Sequence, residues 1–438
     1  MRRLIYNKLL EWKSRGDRKP LILEGARQVG KTYILQEFGR NEFENLVYIN
    51  CDHNEVVKQL FAVDFDVDRI LRGLSSYTSQ HIVAGKTLLF LDEIQELQGG
   101  VASLKYFCEN ARSLHVVVAG SLLGIFNTQG QSFPVGKVES LHLYPMSFEE
   151  FLLARGKDSL VSALSSLDWG VINPLHQLFV EELRQYYFVG GMPEAVLKWV
   201  DSDDVAQVRM IHDQILEAYV RDFAKHAGGE TQRVRMVWDS VPAHLARENK
   251  KFIFGAVKSG ARASYFDKAL QWLQEAGLIY KVENISNVEL PLKFFSNRDA
   301  FKVFALDVGL LGAMSMAPAG EMLVSNNVFS TFKGAFSENY VLQQLKAAGE
   351  RSVYYYSKQN STLEIDFLCQ RGNKMLPIEV KAETNVKAKS LSTFSKTHSD
   401  KIIKSLRFSM QPFVDQGWMA NVPLYAVESI VRSNFLGD

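Results

Sequence analysis

Two groups of residues in this chain have the types and spacing to do chemistry. The first is Gly25-Ala26-Arg27-Gln28-Val29-Gly30-Lys31-Thr32, a complete G-x-x-x-x-G-K-[ST] string. Gly25 and Gly30 let the backbone turn tightly, so that successive N–H groups point at phosphate oxygens. Lys31 can reach β- and γ-phosphates, and the Thr32 hydroxyl can hold Mg²⁺. The second group lies in the last hundred residues: Glu338, Asp366, Glu379 and Lys381. Hard oxygen ligands converging on one point suit Mg²⁺ or Mn²⁺, and a lysine beside them can steady an attacking water and the charge that develops on phosphorus.

These side chains need particular elements to position them. Leu21–Leu23 reads as a short buried strand feeding the glycine loop, and the helix after Thr32 carries Ile34, Leu35 and Phe38 and stops near Gly39. A helix over residues 4–15 precedes it, with Leu4, Ile5, Leu9 and Trp12 on one face. A second strand spans Leu46–Asn50. The stretch Leu88-Leu89-Phe90-Leu91-Asp92-Glu93 then runs four apolar residues straight into two acids. A parallel strand buried on both faces presents such acids at its C-terminal end, where open α/β sheets bind ligands. Asp92 is expected to hold Mg²⁺ and Glu93 to orient and deprotonate the attacking water. The strand His115–Ala119 is expected between the first strand and the acidic one, bringing Ser121 to the phosphates or the water. Without the glycine loop, Asp92-Glu93 would be an ordinary acidic turn and Ser121 an ordinary turn serine.

Residues 150–225 read as helical, with a break at Gly190-Gly191 before Pro193. They are expected to form a lid on the nucleotide. Val234–Leu245, Phe252–Val257 and Tyr265–Leu273 read as helices, followed by the strand Leu278–Val282. That is the order of a winged helix, and Lys250, Lys251, Lys258, Arg262 and Lys268 are its candidates for phosphate contacts. A protein-contacting module with ordinary surface lysines fits the same pattern equally. Toward the end, a helix around Gly334–Leu345 presents Glu338, and the strands Val353–Ser357, Leu363–Cys369 and Met375–Val380 follow. Glu379 and Lys381, two apart on a strand, share a face, and Asp366 lies on the paired strand.

The totals constrain the rest. At 438 residues the chain is too long for one core, and 47% hydrophobic with 23% charged residues is an ordinary globular composition. A net charge of +1 supplies no global pull toward nucleic acid, though it permits a local basic patch. No apolar run approaches the ~20 residues that span a bilayer. The N-terminus lacks the apolar stretch of a signal peptide. The three cysteines, Cys51, Cys108 and Cys369, have no metal-like spacing and read as reduced thiols of a cytoplasmic protein.

The loop Gly25–Thr32, the acidic strand and Ala119-Gly120-Ser121 resemble an AAA+-type P-loop ATPase. The exact wording of the loop, together with Leu143–Phe151 and Tyr187–Glu194, resembles a bacterial and archaeal branch fused to a C-terminal domain of unknown function. Glu338 and the Asp366…Glu379-x-Lys381 series resemble the restriction-endonuclease-like fold. The resemblance and the residue patterns together give an expected α/β P-loop core over 1–149, a helical lid over 150–225, a winged-helix-like module over 226–300 and a nuclease-like domain over 301–438. It implies ATP and Mg²⁺ as cofactors, with Mn²⁺ an option at the C-terminal site, and DNA or RNA as a partner. It also raises a homo-oligomer whose neighbour supplies an arginine. Where the branch leads one to expect Gly-Arg, this chain has Gly136-Lys137, so that arginine role has no carrier there. Arg221 is another basic candidate, and its plain reading is a solvated helix residue. Two function classes follow: an ATPase coupled to a nuclease, or a nucleotide-dependent regulatory protein that binds without cutting.

Overall fold

The computed structural model describes residues 1–120, 133–247, 250–318, 323, 333–358, 362–382 and 388–433. Contacts divide the chain into two units. One comprises Met1–Tyr144 with Glu275–Gly277, the other Pro145–Gln274 with Leu278–Asp438.

The first unit is built on a parallel five-stranded sheet of β1 (Leu21–Glu24), β2 (Asn45–Asn50), β3 (Thr87–Asp92), β4 (His115–Ala119) and β5 (Glu139–His142), in the order β2-β3-β4-β1-β5. Every residue of β3 and β4 is buried, the signature of central parallel strands covered on both faces. As expected, β4 separates β1 from the acidic strand. Its last residue, Ala119, pairs with Leu23 on one side and Asp92 on the other, so the ends of β1 and β3 open onto one edge. The helix Ile5–Ser14 buries Ile5, Leu9 and Trp12. The helix Lys31–Glu42 buries Ile34, Leu35, Phe38 and Gly39 and runs past the stop expected at Gly39. Gly39 is there for packing: a Cβ on it would lie 2.6 Å from Leu46 Cδ1 on β2.

The second unit begins with helices, as read from the sequence. They include Phe148–Ala154, His176–Val189, Pro193–Ser202 and Val205–His226, with the break at Gly190 before Pro193. Ser147 and Glu150 close the first of these with a reciprocal capping box. This segment was expected as a lid, and it clusters with the C-terminal sheet rather than with residues 1–144. Asp307 is the junction. It is wholly buried and accepts hydrogen bonds from Gly191 N (2.6 Å), Gly309 N (2.9 Å), Leu310 N (3.1 Å) and Gln343 Nε2 (2.8 Å).

The helices Thr231–Leu245, Phe254–Val257 and Ala263–Glu275 precede the antiparallel hairpin β6 (Ile279–Ile285) and β7 (Ser296–Ala305). The strand expected to begin a wing, β6, forms with β7 one edge of a larger sheet. Through Glu283 and Asn284, β6 pairs in parallel with β8 (Val353–Ser357). The sheet continues through β9 (Glu364–Arg371), β10 (Lys374–Lys381), β11 (Ser405–Ser409), β12 (Val414–Asp415) and β13 (Met419–Pro423), in the order β12-β13-β11-β10-β9-β8-β6-β7. An unpaired strand edge completes its hydrogen bonds with any suitable strand, so the sheet crosses the boundary read at residue 300. Among the described residues, no helix is long and apolar enough to cross a membrane. Cys51, Cys108 and Cys369 are buried and unbonded to one another.

Candidate functional site

The glycine loop occupies the end of β1. Its backbone is left-handed at Gly25 (φ 144°), Gln28 (φ 67°) and Gly30 (φ 95°), and Gly30 caps the helix Lys31–Glu42. Gly25 tolerates nothing larger, because a Cβ would fall 2.3 Å from Leu143 O. Ala26 and Val29 turn inward and are buried, while Arg27 and Gln28 are exposed.

Lys31 is buried, and its Nζ donates to Gly25 O (2.9 Å) and Ala26 O (2.8 Å). Burial pulls its ammonium down from 10.5 to about 8, against the upward pull of Glu93 and Asp92. Thr32 Oγ1 donates to Asp92 Oδ2 at 2.7 Å, which ties the first helical turn to the end of β3. Burial raises the pKa of Asp92, and the Thr32 hydrogen bond opposes that rise. Glu93 follows in a left-handed conformation (φ 52°), with its N–H on Asp92 Oδ1 at 3.1 Å and its side chain accepting from Gln95. A non-glycine residue in that conformation is strained, and such strain concentrates at functional sites. Oxygen donors at Thr32 and Asp92, already within hydrogen-bond distance, are of the kind Mg²⁺ takes. Ser121 lies outside the described residues.

Two contributors to this site are absent from the sequence reading. Arg3 is buried, and its guanidinium donates to Val29 O (2.9 Å) and Tyr144 O (2.7 Å), bracing the loop from behind. Tyr48 on β2 places its hydroxyl 3.3 Å from Asp92 Oδ2. The only sequence signal for Tyr48 is its place two residues before the end of β2, beside the acidic strand. Arg3 carries no local signal at all.

In the second unit, Glu338, Asp366, Glu379 and Lys381 come into one neighbourhood, accompanied by lysines. Lys250 forms an ion pair with Glu338 Oε1. Lys302 on β7, 1% exposed, lies 3.7 Å from Glu338 Oε2 and 2.6 Å from Glu364 Oε1. Lys381 Nζ meets Glu379 Oε1 at 2.9 Å, as two residues on one strand face should. Asp366 Oδ2 accepts from Val380 N at 2.7 Å. Burial first, and then repulsion from Glu338, push the Asp366 carboxyl up to about 7, against Lys302 and Lys250. Burial works against charge on Lys302, but Glu338, Glu364 and Asp366 outweigh it and its pKa is raised. Among the described residues, no three His, Cys, Asp or Glu side chains are arranged to hold a metal ion. As placed, Glu338 and Glu379 are charge-paired with lysines, while Asp366 accepts from the Val380 backbone.

Lys250, read from sequence as a phosphate contact, is thus occupied by Glu338. Lys258 and Arg233 both sit over the Tyr265 ring, at 4.8 and 4.4 Å from its centroid, and Arg262 and Lys268 are exposed. Arg221 is exposed and pairs with Glu217 one helical turn away, its plain reading. Lys137 pairs with Glu109.

Residues 17–152 match the family described as AAA domain. Residues 180–321 match a domain of unknown function (DUF8612), and residues 333–424 match another (DUF4143). No curated protein matches the sequence. A solved structure, protein VC1899 from Vibrio cholerae, aligns over 95% of this chain and 97% of that one at 11% identity. Its TM-score of 0.18 carries no argument about fold. Residues 17–152 are thus similar to the AAA domain family, and they lie on a parallel five-stranded sheet consistent with a P-loop NTPase core.

Proposed function

We propose that the AAA domain binds ATP with Mg²⁺, hydrolyses it, and uses the nucleotide state to control the second unit. The observation that carries this reading is the Thr32–Asp92 hydrogen bond beside the Gly25–Thr32 loop, with Glu93 next in the chain. The loop N–H groups and the positive end of the helix Lys31–Glu42 would receive the phosphates, and Lys31 would leave Gly25 O and Ala26 O to face them. Thr32 and Asp92 would hold Mg²⁺, which when bound neutralises charge on the phosphate oxygens. Glu93 would orient the attacking water and take its proton. Lys31→Ala should abolish binding. Glu93→Gln should preserve binding and lower turnover by roughly 10²-fold or more, because only the water-activating carboxylate is lost. Equal turnover in wild type and Glu93→Gln would refute the assignment of Glu93.

For the second unit, the lysines among the acids favour the reading in which it binds nucleic acid without cutting it. A divalent ion needs carboxylates free to ligate, and Glu338 and Glu379 are already ion-paired. Labelled single- and double-stranded DNA and RNA should stay intact with Mg²⁺ or Mn²⁺ while ATP turns over. Cleavage that Asp366→Ala and Lys381→Ala each abolish would establish the nuclease instead.

A further inference from the structure

Gln95 lies two residues after Glu93, and half of its amide is unaccounted for. The side chain is 8% exposed. Its Nε2 donates to Glu93 Oε2, whereas its Oε1 is buried and meets no hydrogen-bond donor among the described residues. A carboxylate only accepts, so the amide turns its NH₂ toward Glu93 and the orphan atom is the carbonyl. A buried carbonyl without a donor is costly, and a methionine would fill the same space without that cost. The chain thus holds, beside the candidate base, an acceptor that the fold itself does not satisfy.

The backbone leaves this amide little freedom. Glu93 is left-handed (φ 52°) and opens the short 3₁₀ turn Ile94–Glu96. Glu96 N donates to Glu93 O at 3.0 Å, and Leu97 N donates to Ile94 O at 3.1 Å. Ile94 and Leu97 flank Gln95 and are wholly buried, in the same core as Val47, Leu89 and Leu91 of the sheet. The next helix packs closely on the turn: a Cβ on Gly100 would lie 2.7 Å from Ile94 O. Anchored neighbours therefore aim Gln95, and a side chain held in this way can fix the geometry of a second one.

We propose that Gln95 positions the hydrolytic step: through Nε2 it holds the Glu93 carboxylate, and through Oε1 it accepts a hydrogen from the attacking water. Both atoms belong to one planar amide, so a single water can touch the carboxylate and Oε1 together. That water gives one hydrogen to the Glu93 carboxylate and points the other at Gln95 Oε1, which turns an oxygen lone pair toward phosphorus. Its oxygen bonds to the γ-phosphorus while the bond from phosphorus to the β–γ bridging oxygen breaks, and ADP leaves with that electron pair. The proton on Glu93 then passes to the released phosphate or to solvent. The inference rests on the reading of Glu93 as the group that activates this water.

The test uses the full chain with ATP and Mg²⁺, followed in single turnover where rates are low. Gln95→Met keeps the length of the side chain and removes both polar atoms. It should lower kcat about 10- to 100-fold and leave Kd for a non-hydrolysable ATP analogue within about twofold. It should also weaken binding of ADP with aluminium fluoride, a mimic of the transition state, by about the factor lost in kcat. In a chain already carrying Glu93→Gln, adding Gln95→Met should change kcat by less than about twofold, because both residues act on one water. Structural damage unrelated to Glu93 lowers both chains by the same factor, and that result overturns the proposal. Wild-type kcat in Gln95→Met overturns it too, as does a kcat loss that leaves the affinity for the mimic unchanged. Glu93→Gln turning over like wild type refutes the reading of Glu93 and takes the proposal with it. Loss of turnover in Glu93→Gln beside full turnover in Gln95→Met refutes the role of Gln95 alone. If Gln95→Met does not fold, Gln95→Glu takes its place. Its shape is unchanged, but the donor to Glu93 becomes a like charge, so kcat should fall by a comparable factor, and wild-type kcat again overturns the proposal.

Discussion

Raising the pH should weaken ATP binding and strengthen the N-terminal fold at the same time, because both effects run through Lys31. Burial lowers its pKa from 10.5 to about 8, while facing phosphate requires it charged. At pH 8 about half of the free protein carries the charge, and at pH 9 about one molecule in eleven does. If the bound state keeps the proton, Kd should weaken about fivefold between those values, or about 1 kcal/mol. The phosphates of ATP are already ionised there, so they contribute little. Isothermal titration in two buffers of different ionisation enthalpy should show uptake of about half a proton at pH 8 and nearly one at pH 9. Stability moves the other way. Below pH 8 both folded and unfolded chains hold the proton, and the folded state bears the full cost of the buried charge. From pH 8 to 10.5 the folded state sheds it first, so the cost is relieved and stability rises. The gap between the two pKa values corresponds to about 3 kcal/mol. The unfolding free energy of wild type relative to Lys31→Met should shift in favour of wild type by about that amount across the window. A Kd that is constant from pH 8 to 9, or a stability difference flat from 8 to 10.5, would refute the reasoning.

Arg3→Ala removes two charge-assisted hydrogen bonds behind the loop and should destabilise the N-terminal unit by about 2–4 kcal/mol while weakening nucleotide binding. Arg3→Lys should not rescue it, since one ammonium cannot reproduce the fork that spans Val29 O and Tyr144 O. Unchanged Tm and Kd in Arg3→Ala would remove the bracing role. Asp307→Asn turns an amide NH₂ toward backbone and side-chain donors that now meet a carboxylate oxygen, and should cost the second unit about 3 kcal/mol in urea unfolding. A loss below ~1 kcal/mol would show that water or a small shift satisfies those donors.

The strand–loop–helix geometry of the candidate nucleotide site was legible in the sequence because its parts are local. Gly25 to Thr32 is one continuous strand–loop–helix, whose conformation follows from where glycine is needed and where apolar residues recur. Asp92 and Glu93 were legible because a strand buried on both faces has only its end to offer to polar groups. The position of β4 between β1 and β3 was likewise anticipated. What stayed hidden depends on distance through space. Arg3 braces a loop that begins more than twenty residues away. Tyr48 meets Asp92 only because β2 and β3 pair in register. Gly39 looked like a helix stop until Leu46 was seen against it. The sharpest case is the C-terminal cluster. The sequence pointed to Glu338, Asp366, Glu379 and Lys381, but the partners of Glu338 are Lys250 and Lys302, which no spacing rule connects to it. Periodicity and turn chemistry are properties of neighbouring residues and can be read along the chain. Coulomb pairing depends on separation in space and on burial, and the packing of helices and sheet around Glu338 set both.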